Sequence, residues 1–124
     1  MPFEGVTLPS VRLSSQGPDQ QKQGDDFMYV RMSRYSGKPG TTTSAITERA
    51  ETLRGDMGKT GATAIHSVQT GDNSYCTIAI YKSKADADAA AEIAKAIWGN
   101  MADLIDMSTM HLDAGDVVFA YRHG

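Results

Sequence analysis

Apolar and polar residues alternate, cluster or recur along this chain in patterns that predict a small set of elements. From Phe27 to Tyr35 the run Phe-Met-Tyr-Val-Arg-Met-Ser-Arg-Tyr splits by alternate positions into Met28, Val30 and Met32 against Tyr29, Arg31 and Ser33, which predicts a strand with two chemically different faces. After the Gly- and Pro-bearing loop 36–40, Ile46, Ala50, Leu53 and Met57 recur at offsets of 0, 4, 7 and 11, the spacing of one helical face. That helix is expected to start near Thr43 or Ser44, whose hydroxyl can cap a free N–H, and to end by Gly58 or Gly61. Thr63 to Gln69 and Ser74 to Tyr81 read as a hairpin around Thr70-Gly71-Asp72-Asn73, and the second of these strands alternates Cys76, Ile78 and Ile80 with Tyr75, Thr77, Ala79 and Tyr81. Ser83, three residues before Asp86, opens a long helix whose apolar stripe runs from Ala87 to Trp98, Met101, Leu104 and Ile105. A loop around Asp113-Ala114-Gly115 then leads to a last strand, Asp116 to Arg122, built on Val117, Val118, Phe119 and Tyr121.

The order is β-α-β-β-α-β, and two such split units with right-handed crossovers make an α+β, ferredoxin-like fold: a four-stranded antiparallel sheet with two helices on one face. The aliphatic set is expected beneath the helices, leaving the face with Tyr29, Arg31, Tyr75, Thr77, Ala79 and Tyr81 bare. An apolar patch of that size marks an interface or a ligand site, and pairing two sheets face to face about a twofold axis would cover it as a homodimer, a dimeric α+β barrel. Residues 1–26 differ from the rest. Gly5, Pro9, Gly17, Pro18 and Gly24 punctuate them and 14–26 is almost wholly polar, so they read as an N-terminal arm, with Val6, Leu8, Val11 and Leu13 able to dock as an edge strand broken at Pro9. The domain proper is then 27–124.

Composition narrows the classes. A length of 124 residues supports one core, and 40% hydrophobic with 22% charged residues is ordinary for a globular chain. A net charge of -3 without a basic run excludes the phosphate neutralisation on which nucleic-acid binding depends. No stretch approaches a membrane span and the N-terminus lacks the pattern of a signal peptide, which points to the cytoplasm and to no membrane partner. Cys76 is the one cysteine; flanked by strand residues, it is expected to be a small buried apolar residue rather than a nucleophile.

The βαββαβ order, the Ala-rich second helix containing Ala-Ile-Trp-Gly-Asn-Met-Ala-Asp-Leu around Trp98, and the final Gly115-Asp-Val-Val-Phe together resemble the dimeric α+β-barrel superfamily, in particular its antibiotic-biosynthesis-monooxygenase-like branch. The likeness spans about residues 27 to 124. It implies the paired-sheet barrel and a range of activities that includes cofactor-independent monooxygenation, haem degradation and isomerisation, so it informs fold more than chemistry. Haem-degrading relatives carry an Asn on the first strand, a Trp on the third and a His on the second helix. Here strand one has no Asn, strand three ends in Tyr81 and helix two has no His, which argues against haem.

Among candidate chemical groups, His66 lies mid-strand, where an imidazole can act as general base or ligand, or rest half-buried against a backbone or tyrosine partner. Arg31 alternates with Tyr29 on the aromatic face and calls for an anionic or π partner: an ion pair at the dimer rim, or the carboxylate or enolate of a ligand. Trp98 sits on the helical apolar stripe, which favours a core role. His111, in the loop before the last strand, and His123 are expected at the surface. No His, Cys or carboxylate spacing fits a metal, loop 37–41 lacks the spacing of a phosphate cradle, and strand three lacks the motif of RNA-binding modules, so no metal and no cofactor are expected. Two functions follow. The first is a small-molecule site lined by Tyr29, Arg31, His66, Tyr81 and Trp98, taking an apolar, aromatic or polyketide-like compound, with cofactor-independent oxidation of it as the finer form; the second is a non-enzymatic dimeric module that assembles or holds a partner.

Overall fold

The computed structural model describes residues 28–123, which fall into two units: Tyr29–Asp116, and Met28 with residues 117–123. The expected arm and the boundary near Phe27 lie outside the described residues. The larger unit runs β1 (Tyr29–Gly37), α1 (Thr43–Thr52), α2 (Arg54–Gly58), β2 (Ala64–Gly71), β3 (Ser74–Tyr81), α3 (Lys84–Ala89), α4 (Ala91–Gly99) and β4 (Ile105–Asp116). Its four strands form one antiparallel sheet in the order β2-β3-β1-β4, so the fold is α+β and ferredoxin-like.

Local chemistry sets the element ends. Thr42, one residue before the expected start, caps α1 by accepting from Ala45 N at 3.1 Å, and Ser83 caps α3 by accepting from Asp86 N at 3.1 Å. Gly61, with φ +79, supplies the left-handed turn into β2. At the hairpin, Asn73 Nδ2 donates to the Gly37 carbonyl at 2.7 Å, and a Cβ on Gly37 would stand 2.5 Å from Asn73 Oδ1, so only glycine lets the turn lie against β1.

Three expectations are corrected. The second helix is two short helices that meet at Ala90 and stop at Gly99, well before Leu104 and Ile105. Gly99 and Asn100 are weak helix formers, and the chain tightens there into i to i+3 bonds, Asn100 N to Ile97 O and Met101 N to Trp98 O. Arg49 clamps this end, donating to the Asn100 carbonyl at 2.7 Å and pairing with Asp103. The last strand is consequently Ile105–Asp116, with His111 inside it, while residues 117–123 have no regular secondary structure. In that smaller unit Val117 N donates to Met28 O at 2.8 Å, and Val118, Phe119 and Tyr121 are exposed. The strand escaped its pattern because its pairing with β1 slips: between Arg34 and Ser36 the partner moves from His111 to Asp106, an irregularity that breaks the two-residue period.

The third correction concerns the faces of the sheet. Tyr35, Tyr75 and Ile105 pack with Ile46, Leu53 and Met101 in one buried cluster, and Tyr81 packs with Ala87 and Ala90 in a second. The aromatic face therefore lies under the helices. Val30, Met32, Ile78 and Ile80, which alternate with it, fall on the opposite face, as do Cys76 and Val68. The expectation ranked the residues by apolarity alone. A tyrosine ring buries more area than an isoleucine, and its hydroxyl costs little when it finds a partner: Tyr75 bonds Thr43 at 2.8 Å and Tyr35 bonds Thr77 at 3.0 Å. Cys76, on the open face, is partly exposed rather than buried.

Candidate functional site

Three rows across β2, β3 and β1 explain where space is left beneath the helices. Gln69, Tyr75 and Tyr35 are in register at one end, and Tyr81 stands opposite Tyr29 at the other. Between them the register aligns Ser67, Thr77 and Ser33, then Ile65, Ala79 and Arg31. Bulky rings at both ends hold the helices off the sheet, and the short side chains between them do not fill the gap. The helical side is equally economical, with Thr47 and Ala50 from α1 and Ala94 from α4 facing the same space. The result is a cavity of about 100 Å³, roofed by Ile46, Met57, Ile97, Trp98 and Met101 and bounded at the sheet by Arg31, Ser33, Tyr35, Ser67, Thr77 and Tyr81.

Its polar groups are few and ordered. The Tyr35 hydroxyl is 3.0 Å from Thr77 Oγ1, which is 2.9 Å from Ser67 Oγ, a line of three hydroxyls crossing three strands. Burial pushes the Tyr35 phenol above its ordinary pKa of 10.0, and the hydrogen bonds from Thr77 and Ser67 offset part of that rise. It stays protonated at neutral pH. Tyr35 stacks on Tyr75 at 5.7 Å between ring centroids and receives Trp98 edge-on at 5.1 Å, so Trp98 both packs the core and walls the cavity. Arg31 is half-buried; its Nη2 donates to the Ala87 carbonyl at 3.2 Å and its guanidinium carbon lies 5.8 Å from the Tyr81 ring centroid.

Of the five residues expected together, Arg31, Tyr81 and Trp98 line this cavity. Tyr29 faces the same side of the sheet but packs against the Tyr81, Ala87 and Ala90 cluster. His66 is elsewhere: Ile65 and Ser67 point into the cavity, and strand alternation sends His66 to the opposite face, exposed and opposite Ile78. A general base at His66 cannot reach a molecule held beneath the helices. On the opposite face Arg34 Nη2 pairs with Asp113 Oδ2 at 2.8 Å, with His111 Nε2 3.4 Å from the same oxygen. Sequence reasoning missed Ser33, Tyr35, Ser67 and Thr77. The signal of Ser33, Ser67 and Thr77 was present as small hydroxyl residues sharing the inward face of Tyr35, Tyr75 and Tyr81. Among the described residues no cluster of His, Cys and carboxylates could hold a metal, and no helix is long and apolar enough to cross a membrane.

No family model matches the sequence, and no curated protein matches it. Solved structures do share the fold. A protein of unknown function from Nitrosomonas europaea is similar over 82% of this chain and 99% of its own, with 19% identity and a TM-score of 0.64. A dimeric ferredoxin-like protein from an uncultured marine organism is similar over 82% and 97%, with 10% identity and a TM-score of 0.63. A candidate antibiotic biosynthesis monooxygenase from Chloroflexus aurantiacus is similar over 78% and 97%, with 14% identity and a TM-score of 0.54. At these identities the likeness establishes the fold class, a ferredoxin-like α+β sheet shared with antibiotic-biosynthesis-monooxygenase-like structures, and leaves the chemistry to be argued from the site.

Proposed function

We propose that this protein binds one small, mainly apolar molecule with a polar head in the cavity between its helices and the inward face of its sheet. The observation that carries this reading is the row of short side chains, Ser33, Thr77 and Ser67, held between tyrosine walls: a packed core would fill such a row, and here it leaves about 100 Å³ free. That space equals about three waters at ~30 Å³ each, and is smaller than the ~150 Å³ of a dry cavity that takes benzene. The sheltered part of the pocket therefore takes a short chain or a single small ring. Homodimerisation belongs to the same proposal, now through the open aliphatic face of Val30, Met32, Ile78 and Ile80 rather than the aromatic one; the dimeric ferredoxin-like neighbour supports it. Cofactor-independent oxidation of the bound molecule is the finer form of this reading, prompted by the monooxygenase-like neighbour. It requires a substrate that itself gives dioxygen its electrons, with the protonated Tyr35 hydroxyl among the polar groups of the lining.

The small volume also favours a second reading, a non-enzymatic dimeric module with a merely imperfect core. One tryptophan in the chain makes the two separable, because Trp98 lines the cavity and its emission reports only there. Native mass spectrometry of freshly purified protein, followed by titration with 1-butanol read by Trp98 emission, is the test. The binding reading predicts a retained small molecule or a saturable change in emission. An unliganded mass together with a flat titration would overturn it in favour of the module.

A further inference from the structure

Among the described residues Arg31 has no ion-pair partner. Arg34 pairs with Asp113, Arg49 with Asp103 and Arg54 with Glu51, and none of these pairs involves Arg31. A half-buried guanidinium at the edge of an apolar space is well placed to take a partner charge, because one held partly out of water gains from an anion or a full set of hydrogen bonds. What Arg31 has is one donated bond, to the Ala87 carbonyl, and the face of Tyr81. Those two contacts fix the plane of the guanidinium and leave its remaining N–H groups unused. The remainder of the lining consists of hydrocarbon and neutral hydroxyls.

We propose that the cavity receives a short-chain monocarboxylate whose carboxylate pairs with Arg31 while its aliphatic tail lies among the apolar lining. The proposal rests on the small-molecule reading above and names its ligand class. Charge limits the ligand to one anionic group: a phosphate dianion or a dicarboxylate would bring a second negative charge into a lining with a single cation. Volume limits the tail to a few carbons. The planar fork of an arginine matches a carboxylate in two parallel N–H···O bonds, and restriction of Arg31 by Ala87 and Tyr81 means little freedom is lost when those bonds form. The Tyr35, Thr77 and Ser67 hydroxyls line the same cavity and can serve a second oxygen, so a hydroxy or oxo acid fits the site as well as a simple one.

The test is titration with sodium butyrate and, separately, with 1-butanol, both read by Trp98 emission at constant ionic strength, on the wild type and on Arg31→Gln and Arg31→Lys. Gln keeps an amide able to donate to Ala87, Lys keeps the charge, and circular dichroism confirms that each variant is folded. Expected is saturable butyrate binding to the wild type, weaker by about tenfold to a hundredfold in Arg31→Gln and partly restored in Arg31→Lys, with 1-butanol binding less tightly than butyrate and indifferent to the substitution. If butyrate and 1-butanol bind alike, or Arg31→Gln keeps full butyrate affinity, the carboxylate anchor is overturned while the cavity reading stands. If neither compound changes the emission, both are overturned.

Discussion

The two faces of one sheet are built from the same strands and have opposite fates. Inward, Tyr35, Tyr75 and Tyr81 are almost fully buried beneath the helices, and Tyr35 and Tyr81 bound a cavity among serine, threonine and alanine. Outward, Val30, Met32, Ile78 and Ile80 form a more apolar surface that the four helices leave uncovered. The difference teaches that hydrophobicity alone does not choose the face a helix layer covers. Area and satisfiable hydroxyls choose it too: large rings with bonded hydroxyls hold the layers apart, whereas aliphatic side chains of even height make a flat surface suited to another flat surface.

The contrast is broken most severely at Tyr81, 1% exposed at the centre of its cluster. Tyr81→Ala should cost about 3–5 kcal/mol of unfolding free energy, measured by urea denaturation, because a ring-sized void cannot collapse between Ala87 and Ala90. On the other face, the proposed pairing predicts that the wild type is a dimer and Ile78→Asp a folded monomer, read by light scattering during gel filtration, since a carboxylate in the middle of an aliphatic contact would be desolvated without a partner. An unchanged dimer after that substitution would place the interface elsewhere. Thr77→Val keeps the shape of the hydroxyl line but removes its centre; the loss should be about 1–2 kcal/mol, with Tyr35 left without its Thr77 partner.

The smallest effect is a slope. Because burial raises the Tyr35 phenol above its value in the unfolded chain, the native state keeps a proton that the unfolded state releases as pH passes about 10. Stability from this group is complete below that pH and declines above it. Tyr35→Phe should flatten the decline between about pH 9 and 11 in urea titrations relative to the wild type; an identical slope in both would show that the ring is not the source.

How much of this could be read from the sequence depended on whether a pattern was local. The hairpin strand Ser74–Tyr81, the cap at Ser83 and the helical face Ile46, Ala50, Leu53 and Met57 were visible because period and turn chemistry are set within a few residues. The last strand was not, since its irregular pairing between Arg34 and Ser36 is a relation between distant segments, and the apolar run 117–121 imitated a strand better than Ile105–Asp116 did. Arg31, Tyr81 and Trp98 could be grouped from parity and composition. His66 was misplaced because alternation separates residues into two sets without saying which set faces the helices. That choice emerges only when the tyrosines find Thr43 and Thr77. The exposed Val118, Phe119 and Tyr121 belong to a unit that no sequence period announced.

The central claim is that the inward face encloses a real apolar space and the outward face does not. Diffraction from a crystal under xenon pressure tests it most directly, because xenon enters dry apolar cavities without requiring a hydrogen bond. The account predicts a xenon peak bounded by Tyr35, Tyr81 and Trp98. A structure in which that volume is filled by repacked side chains, with no xenon between helices and sheet, would contradict it.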